Sequence, residues 1–227
     1  ISIFLVTAIF SVADMMIRTQ SDRMTGKNGS WHIELDGISQ ETALKIAERD
    51  DVVSIGAVTI FNPDGELPYR MDGKRVVLYG IDESYLTMNS TGAAEGRFPQ
   101  GMGEIMLSSN AARVLQVAVG DTVTLRTPSG DWDFTVSGLG GVEESYYSGQ
   151  YSLMDAYLPR TAFAALMEQN NVHNLQTSYY VQFTSASKAA KAIPELTAQH
   201  NLPENAVSEN TGRTESFHAV MRPGSKA

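Results

Sequence analysis

The sequence predicts an α+β protein in which strand–helix–strand units flank a β-rich insert. Hydrophobic residues form 42% and charged residues 19% of the 227 positions, which is the balance of an ordinary globular protein. The outer parts of the sequence alternate between strand and helix periodicity, whereas glycines divide the middle into short strands. Because the length exceeds one compact unit but falls short of two full-sized domains, we expect two interlocked subdomains.

Residues 1–13 are almost wholly apolar, and charged residues appear from Asp14 onward. A helix needs about 20 apolar residues to cross about 30 Å of hydrocarbon, so this stretch is too short to span a membrane alone. We expect residues 1–24 to be the end of a transmembrane helix that begins before Ile1 and continues as a stalk. A buried core helix is the alternative interpretation of an apolar stretch of this length.

A strand–helix–strand unit follows the polar break after this segment. Residues 31–35 alternate in polarity and residues 52–61 are rich in β-branched side chains, so both are predicted strands. Ser39 is placed to cap the helix between them. The Asn-Pro-Asp-Gly sequence at residues 62–65 is strong turn chemistry, after which residues 75–88 are predicted to form a strand and a short helix.

Residues 95–139 have a different sequence pattern, in which glycines separate short predicted strands. Residues 104–107 form one of these strands, after which Ser108 is placed to cap a short helix. Residues 122–125 and 132–136 lie on either side of a Pro-Ser-Gly-Asp turn, so they are predicted to pair as a hairpin. This pattern of short strands indicates a separate β-rich module.

The pattern of the first unit returns in the last third of the sequence. The predicted strands are residues 156–158, 179–184 and 206–207, and the predicted helices are residues 160–169 and 187–200. Pro194 interrupts the second helix in the sequence pattern, because proline lacks the N–H group that a helix interior uses.

A polar, aromatic loop separates the β-rich segment from this last part. Tyr146, Tyr147 and Tyr151 lie in it, and Met154 follows as an apolar neighbour. Tyrosine offers a large amphipathic contact area at low entropic cost, which is typical of binding surfaces. These four residues form the candidate partner-contact loop. The alternative interpretation is that they cover the seam between the subdomains.

Charge and residue counts exclude several function classes. The net charge is −9, with 17 basic against 26 acidic residues, whereas proteins that bind nucleic acid concentrate Lys and Arg to displace counterions. The sequence has no cysteine, which excludes disulfides, thiolate catalysis and Cys-ligated zinc. Its four histidines lack the spacing of a metal motif: His32, His173, His200 and His218. We therefore expect no nucleic-acid partner, no metal and no cofactor.

Ser185 and Lys188 match the S-x-x-K spacing in which a lysine activates a serine. The accompanying S-D-N and K-T-G elements are absent from the sequence, and helix capping explains a serine at a strand-to-helix junction. Three acidic pairs are typical of solvated surface: Glu143-Glu144, Asp50-Asp51, and Asp131 with Asp133. We predict a protein that is not an enzyme. The alternatives are a membrane-anchored or secreted Ser/Lys hydrolase and a stand-alone ligand-binding protein.

A longer phrase carries a family resemblance. It consists of residues 96–99 (GRFP), 103–108 (GEIMLS), 111–112 (AA), Leu115 and 119–125 (VGDTVTL), followed by residues 134–138 (FTVSG). In this order they resemble the extracytoplasmic domain of the FtsX/MacB-like ABC-transporter permeases, and the resemblance covers essentially the whole chain. Arg97 and Glu104, both within the phrase, are expected to form a surface ion pair and not a site.

The resemblance implies a porter-like α/β subdomain built from βαβ units, with a small β-rich subdomain inserted into it and a stalk helix before it. The implied boundaries are residues 1–24 for the membrane and stalk helix, 25–92 and 151–215 for the porter-like subdomain, 93–150 for the insert, and 216–227 for a C-terminal tail.

The same resemblance implies a location at the cell membrane, with this domain on the extracytoplasmic side. It implies a cytoplasmic ATPase subunit or domain as partner, a permease dimer, and no ATP binding by this domain itself. Its function would be to couple ATP-driven motion of the membrane helices to export or to an outer partner. A peptide, a lipid, a drug and a wall-associated protein are the open choices for that cargo or partner.

Overall fold

The computed structural model describes residues 29–89, 92–140, 153–203 and 205–210. These residues form eleven strands and five helices. The strands are β1 (Ile33–Leu35), β2 (Val52–Phe61), β3 (Arg70–Met71), β4 (Lys74–Ile81), β5 (Ala93–Gly96), β6 (Glu104–Leu107), β7 (Thr122–Thr127), β8 (Gly130–Gly140), β9 (Met154–Pro159), β10 (Thr177–Phe183) and β11 (Val207–Glu209). The helices are α1 (Gln40–Ala47), α2 (Glu83–Met88), α3 (Ser109–Leu115), α4 (Arg160–Gln169) and α5 (Ala186–His200). The predicted mixture of strands and helices is confirmed.

Three helices begin at the serines that were predicted to cap them. Ser39 Oγ accepts a hydrogen bond from the backbone N–H of Thr42 at 3.1 Å, and Ser108 Oγ accepts one from Ala111 at 3.1 Å. Ser185 caps α5 in the same way. Each bond satisfies an N–H group that a helix leaves without an intrahelical partner, so these helix starts follow from local chemistry.

All eleven strands belong to one sheet. Its order is β11-β1-β10-β2-β4-β3-β7-β8-β6-β9, with β5 paired to β8 beside this path. Strand β9 also pairs with β4 in parallel, from Val76 opposite Met154 to Ile81 opposite Pro159. The six strands β4, β3, β7, β8, β6 and β9 thus close into a ring, which we call the closed ring. Strands β11, β1, β10 and β2 extend from it as the open sheet.

The closed ring has one buried hydrophobic cluster, to which all six of its strands contribute. Alternate residues point inward, such as Val123 and Leu125 of β7 and Phe134 and Val136 of β8. Helix α4 packs against the same cluster through Phe163. Because β4 and β9 come from the predicted porter-like part and β7 and β8 from the predicted insert, the two parts share one core. The β-rich segment is therefore continuous with β4 and β9 through this core.

The open sheet is covered on both faces. On one face, α1 and α5 bury Ile46 and Leu196 in a cluster with side chains of β1, β2 and β10. On the other face, α2 packs through Tyr85 near Val58 of β2. Packing on both faces accounts for the continuous burial of residues 56–59 in β2, whereas β10 alternates between buried and half-buried residues.

The periodicity of the sequence does not predict two of the observed strands, β3 and β5. Strand β3 has only two residues, which is too few to show alternation, and its pairing with β4 and β7 defines it. Strand β5 lacks β-branched residues and ends at Gly96 with a φ of +70°. Strand β8 runs to Gly140, beyond the predicted end at residue 136, because its last residues pair with both β5 and β6.

Helix α5 continues through Pro194, at which the sequence pattern predicted an interruption. The missing N–H of a proline leaves the carbonyl of the preceding turn without its helical donor. Both Pro194 and Ala190 are exposed on this helix, so solvent can satisfy that carbonyl. The cost is therefore smaller than it would be on the buried face.

Several predictions lie outside the described residues, namely those for residues 1–24 and for residues 216–227. The domain boundaries at residues 92 and 150 stay a prediction. Within the described ranges, none of the helices has the length and apolar character that crossing a membrane requires.

Candidate functional site

The candidate partner-contact loop has one member within the described residues. Tyr146, Tyr147 and Tyr151 lie outside them, so their role stays a prediction. Met154 begins β9 opposite Val76 and is fully buried in the closed ring. Its side chain is closed off from any partner, which corrects the prediction for this residue. The cause is the parallel pairing of β9 with β4, which local periodicity does not reveal.

Ser185 and Lys188 are arranged as a helix cap. Ser185 Oγ accepts a hydrogen bond from the backbone N–H of Lys188 at 3.2 Å. The hydroxyl is therefore engaged by the main chain of Lys188, not by its amine. A hydrogen bond from Arg49 is the main cause of the lowered pKa of Asp51, and the charge of Lys188 adds a small contribution. This geometry favours the capping interpretation over a Ser/Lys hydrolase.

We expect Ser185→Ala to lower the free energy of unfolding by about 1 kcal/mol, because an N-cap hydrogen bond is lost. Urea denaturation measures the change. Ser187→Ala is the matched control, since Ser187 is exposed in the first turn of the same helix and is expected to leave stability nearly unchanged. An unchanged stability combined with loss of function in the full transporter would favour the hydrolase interpretation instead.

The acidic pairs in the described residues make local surface contacts. Asp131 lies 3.4 Å from an arginine across the β7–β8 hairpin, and Asp133 accepts a hydrogen bond of 2.6 Å from a threonine hydroxyl. Asp51 pairs with Arg49 at 2.9 Å. The pair at residues 143–144 lies outside the described residues. These contacts are those of solvated surface charges and do not form an acid–base pair.

The histidines occupy unrelated positions. His32 is buried, and its Nδ1 accepts a hydrogen bond from the backbone N–H of Phe183 at 3.1 Å. His173 borders the cleft between the open sheet and α4, His200 is the last residue of α5, and His218 lies outside the described residues. Within the described ranges, no group of three or more His, Cys, Asp or Glu side chains could hold a metal ion.

Arg97 and Glu104 form the predicted ion pair. Two guanidinium nitrogens of Arg97 lie 2.9 and 2.5 Å from the two carboxylate oxygens of Glu104. The same carboxylate accepts backbone hydrogen bonds from Gln100 at 2.8 Å and Gly101 at 3.1 Å. The bond from Arg97 contributes most, and together these bonds lower the pKa of Glu104 to about 2. All the donors belong to one short segment, so the carboxylate fastens that segment to β6 and serves the fold.

An open cleft of about 710 Å³ lies between the open sheet and α4. Thr59 of β2 and Thr177 of β10 lie inside it, and their hydroxyl oxygens are 2.7 Å apart. Gln40, the first residue of α1, borders the cleft on one side, and residues 172–175 border it on another. Parts that are distant in the sequence therefore form one polar and apolar surface.

Asp82 and Arg160 stand together at one end of this cleft. They directly follow β4 and β9, whose last paired residues are Ile81 and Pro159. Arg160 Nη1 lies 3.8 Å from Asp82 Oδ2, and the guanidinium carbon lies 5.9 Å from the centre of the Tyr179 ring. No motif in the sequence marks either residue, because only the pairing of the two parallel strands brings them together.

Comparisons with known proteins agree with this architecture. A sequence model described as the MacB-like periplasmic core domain matches residues 1–199. The periplasmic region of MacB from Actinobacillus actinomycetemcomitans is similar over 88% of this chain and 97% of its own, with a TM-score of 0.60 and 14% identity. The extracellular domain of the noncanonic ABC-type transporter YknZ from Gram-positive bacteria is similar over 79% of this chain and 98% of its own, with a TM-score of 0.54 and 15% identity. No curated protein sequence matches the chain.

At these identities the two solved structures establish the fold alone. The family match is carried by the sequence, extends over far more than half of the chain, and includes the phrase between residues 96 and 125. The chain therefore belongs to the MacB-like periplasmic core domain family of ABC-transporter permeases.

Proposed function

We propose that this chain is the extracytoplasmic domain of a membrane permease and that it transmits ATP-driven movement of the membrane helices to its outer surface. The observation that carries the proposal is the family match over residues 1–199. The permease works with a cytoplasmic ATPase subunit or domain and as a dimer. It lies in the cell membrane, with this domain on the extracytoplasmic side.

The connected fold supports a transmitting role. Strand β4 pairs with β2 of the open sheet and with β9 of the closed ring, so a displacement of one part is carried to the other. On the far side of the open sheet, Arg49 contacts Asp51 at 2.9 Å and Glu195 of α5 at 3.0 Å. These contacts tie the end of α1 to α5 and favour movement as one body.

The domain is proposed to act without catalysis, and Ser185 as a helix cap supports this. Tyr146, Tyr147 and Tyr151 are proposed as the contact surface for cargo or for an outer partner, because tyrosine-rich loops suit recognition. A peptide, a lipid, a drug or a wall-associated protein each fits such a surface. Nucleic acid does not, since the net charge is −9.

Crosslinking the two stalks of the permease dimer tests the transmission. In the full transporter, Ile17→Cys should permit an oxidative crosslink between the two copies, and this chain contributes no other cysteine. We expect the crosslinked transporter, reconstituted with its ATPase in lipid vesicles, to lose most of its ATP turnover, because the helices can no longer move relative to each other. The rate of phosphate release measures this.

Reduction of the crosslink is the control, and it should restore ATP turnover in the same sample. The cysteine variant without oxidation should behave like the parent transporter. Full ATP-dependent activity with the crosslink in place would contradict transmission through this helix.

A further inference from the structure

The cleft beside Arg160 lies where ligands commonly bind in α/β sheets, outside the carboxyl ends of parallel strands. Strands β4 and β9 are such a pair, and the residues that follow them, Asp82 and Arg160, both line the cleft. Its volume of about 710 Å³ falls within the range of about 300–1,000 Å³ that small-molecule sites occupy. Position and size together make it a candidate binding site.

The Arg160 guanidinium lies between Asp82 and the Tyr179 ring, and its N–H donors form no hydrogen bond with the described residues. Its distance of 3.8 Å to Asp82 Oδ2 is too long for a hydrogen bond, and that oxygen already accepts the N–H of Ala57 at 3.1 Å. The Tyr179 ring lies below the guanidinium at 5.9 Å. Among the described residues, no atom accepts a hydrogen bond from Arg160, whose side chain is 31% exposed. The first turn of α4 itself contains no acidic residue, so it is the Asp82 carboxylate that faces this charge.

One face of α4 continues from Arg160 along the cleft. Phe163, Ala164 and Met167 follow at the three-, four- and seven-residue spacing that places side chains on one side of a helix, and all three line the cleft. Val172 and Leu175 line it from the loop after the helix. The cleft therefore presents Arg160 beside Asp82 at one end and an apolar wall along α4, and Glu168 and His173 also line it.

We propose that this cleft binds a carboxylate that carries an apolar group. The carboxylate pairs with the Arg160 guanidinium, whose planar fork suits bidentate recognition of carboxylates. The apolar group lies along α4, between Met167 and the side chains of Val172 and Leu175. A peptide with a C-terminal leucine and a free aliphatic acid offer this same chemistry. The proposal does not depend on the transmitting role, since it concerns a site within the domain itself.

Titration of the 227-residue chain with two small acids tests the site. N-acetyl-leucine represents a peptide terminus and hexanoate represents a free acid, and N-acetyl-leucinamide and hexanamide are their neutral controls. In amide NMR spectra we expect saturable shifts at residues 160–164 and 172–177. The neutral amides should bind at least about tenfold more weakly, because they lose the charged hydrogen bonds. The tighter of the two acids identifies the source of the carboxylate.

Variants on either side of the ion pair sharpen the test. Arg160→Gln should weaken acid binding at least about tenfold. Arg126→Gln is the matched control, because it also removes one arginine, and this one is 75% exposed on the β7–β8 hairpin. It should leave acid binding unchanged. Asp82→Asn should strengthen binding, because it removes a competing carboxylate and keeps an oxygen for the N–H of Ala57.

Either of two results would overturn the proposal. One is the absence of saturable binding by both acids to the parent chain. The other is equal binding by the parent, Arg160→Gln and Asp82→Asn chains. The gain expected for Asp82→Asn keeps the test decisive even if Arg160→Gln lowers the melting temperature.

Discussion

The Phe134→Ala variant is expected to lose about 3–5 kcal/mol of its free energy of unfolding, the usual cost of truncating a buried aromatic side chain. Phe134 is 1% exposed and lies in the cluster that all six strands of the closed ring share. Its removal leaves a cavity that close-packed neighbours cannot fill. Urea denaturation followed by circular dichroism measures the loss. Phe134→Leu is the matched control and should lose less, because it retains more of the buried apolar volume.

The two tryptophans of the chain report which part of the fold loses stability in the Phe134→Ala variant. Trp31 contacts Tyr180 of the open sheet, with ring centres 4.9 Å apart, and Trp132 stacks on Phe134 in the closed ring at 6.2 Å. When either tryptophan is replaced by phenylalanine, the fluorescence of the other follows one part of the fold. Because β2 of the open sheet pairs with β4 of the closed ring and Phe61 of β2 lies in the same cluster as Phe134, Phe134→Ala should lower both midpoints together.

A Trp31 transition that Phe134→Ala leaves unchanged would show that the open sheet unfolds independently of the closed ring. That outcome would also weaken the proposal that the domain moves as one body. Coincident transitions would instead support the transmission of movement across β4, which joins the two parts.

The Gly56→Ala variant is expected to be less stable by about 1–3 kcal/mol, which is the range for overpacking a filled site. A Cβ on Gly56 would lie 2.4 Å from the backbone nitrogen of Tyr85 and 2.7 Å from its Cα. Both atoms belong to the main chain of α2, so no side-chain rotation can relieve the clash. The helix would have to shift away from β2, and thermal denaturation would record the loss of packing.

Gly103→Ala is the matched control, because a Cβ there meets no atom within 4 Å. Its stability should lie within about 0.5 kcal/mol of the parent chain. The sign of the Gly56→Ala effect is informative, since alanine without a clash would stabilise a strand interior by roughly 0.5–1 kcal/mol. A Gly56→Ala protein as stable as the control would contradict the close approach of α2 to β2.

Many local elements could be predicted because their causes lie within a few residues of each other. A serine followed at a short distance by a helical pattern predicts its own cap, as at Ser39 and Ser108. The β-branched run of β2 predicts its full length, and the turn residues between β7 and β8 predict their pairing. The ion pair of Arg97 and Glu104 was also accessible, because its partners lie seven residues apart.

The candidate site was harder to predict, because its parts meet only through long-range pairing. Residue type and spacing indicated the tyrosine loop and the Ser185–Lys188 pair, but they carried no signal for Arg160. From the sequence alone, Arg160 is an ordinary first residue of a helix. Its place in the cleft follows only from the pairing of β9 with β4. The same pairing turns Met154 inward, which a reading of its neighbours in the sequence could not show.

The sequence by itself determined the family, the alternation of strands and helices, and the phrase between residues 96 and 125 that identifies the fold. Only the tertiary structure decided that the strands close into a ring, that the β-rich segment shares its core with the rest, and that Asp82 and Arg160 meet in one cleft. The physical reason is that periodicity records which side of a strand is buried, whereas the choice of neighbouring strand depends on hydrogen bonds and packing with distant residues.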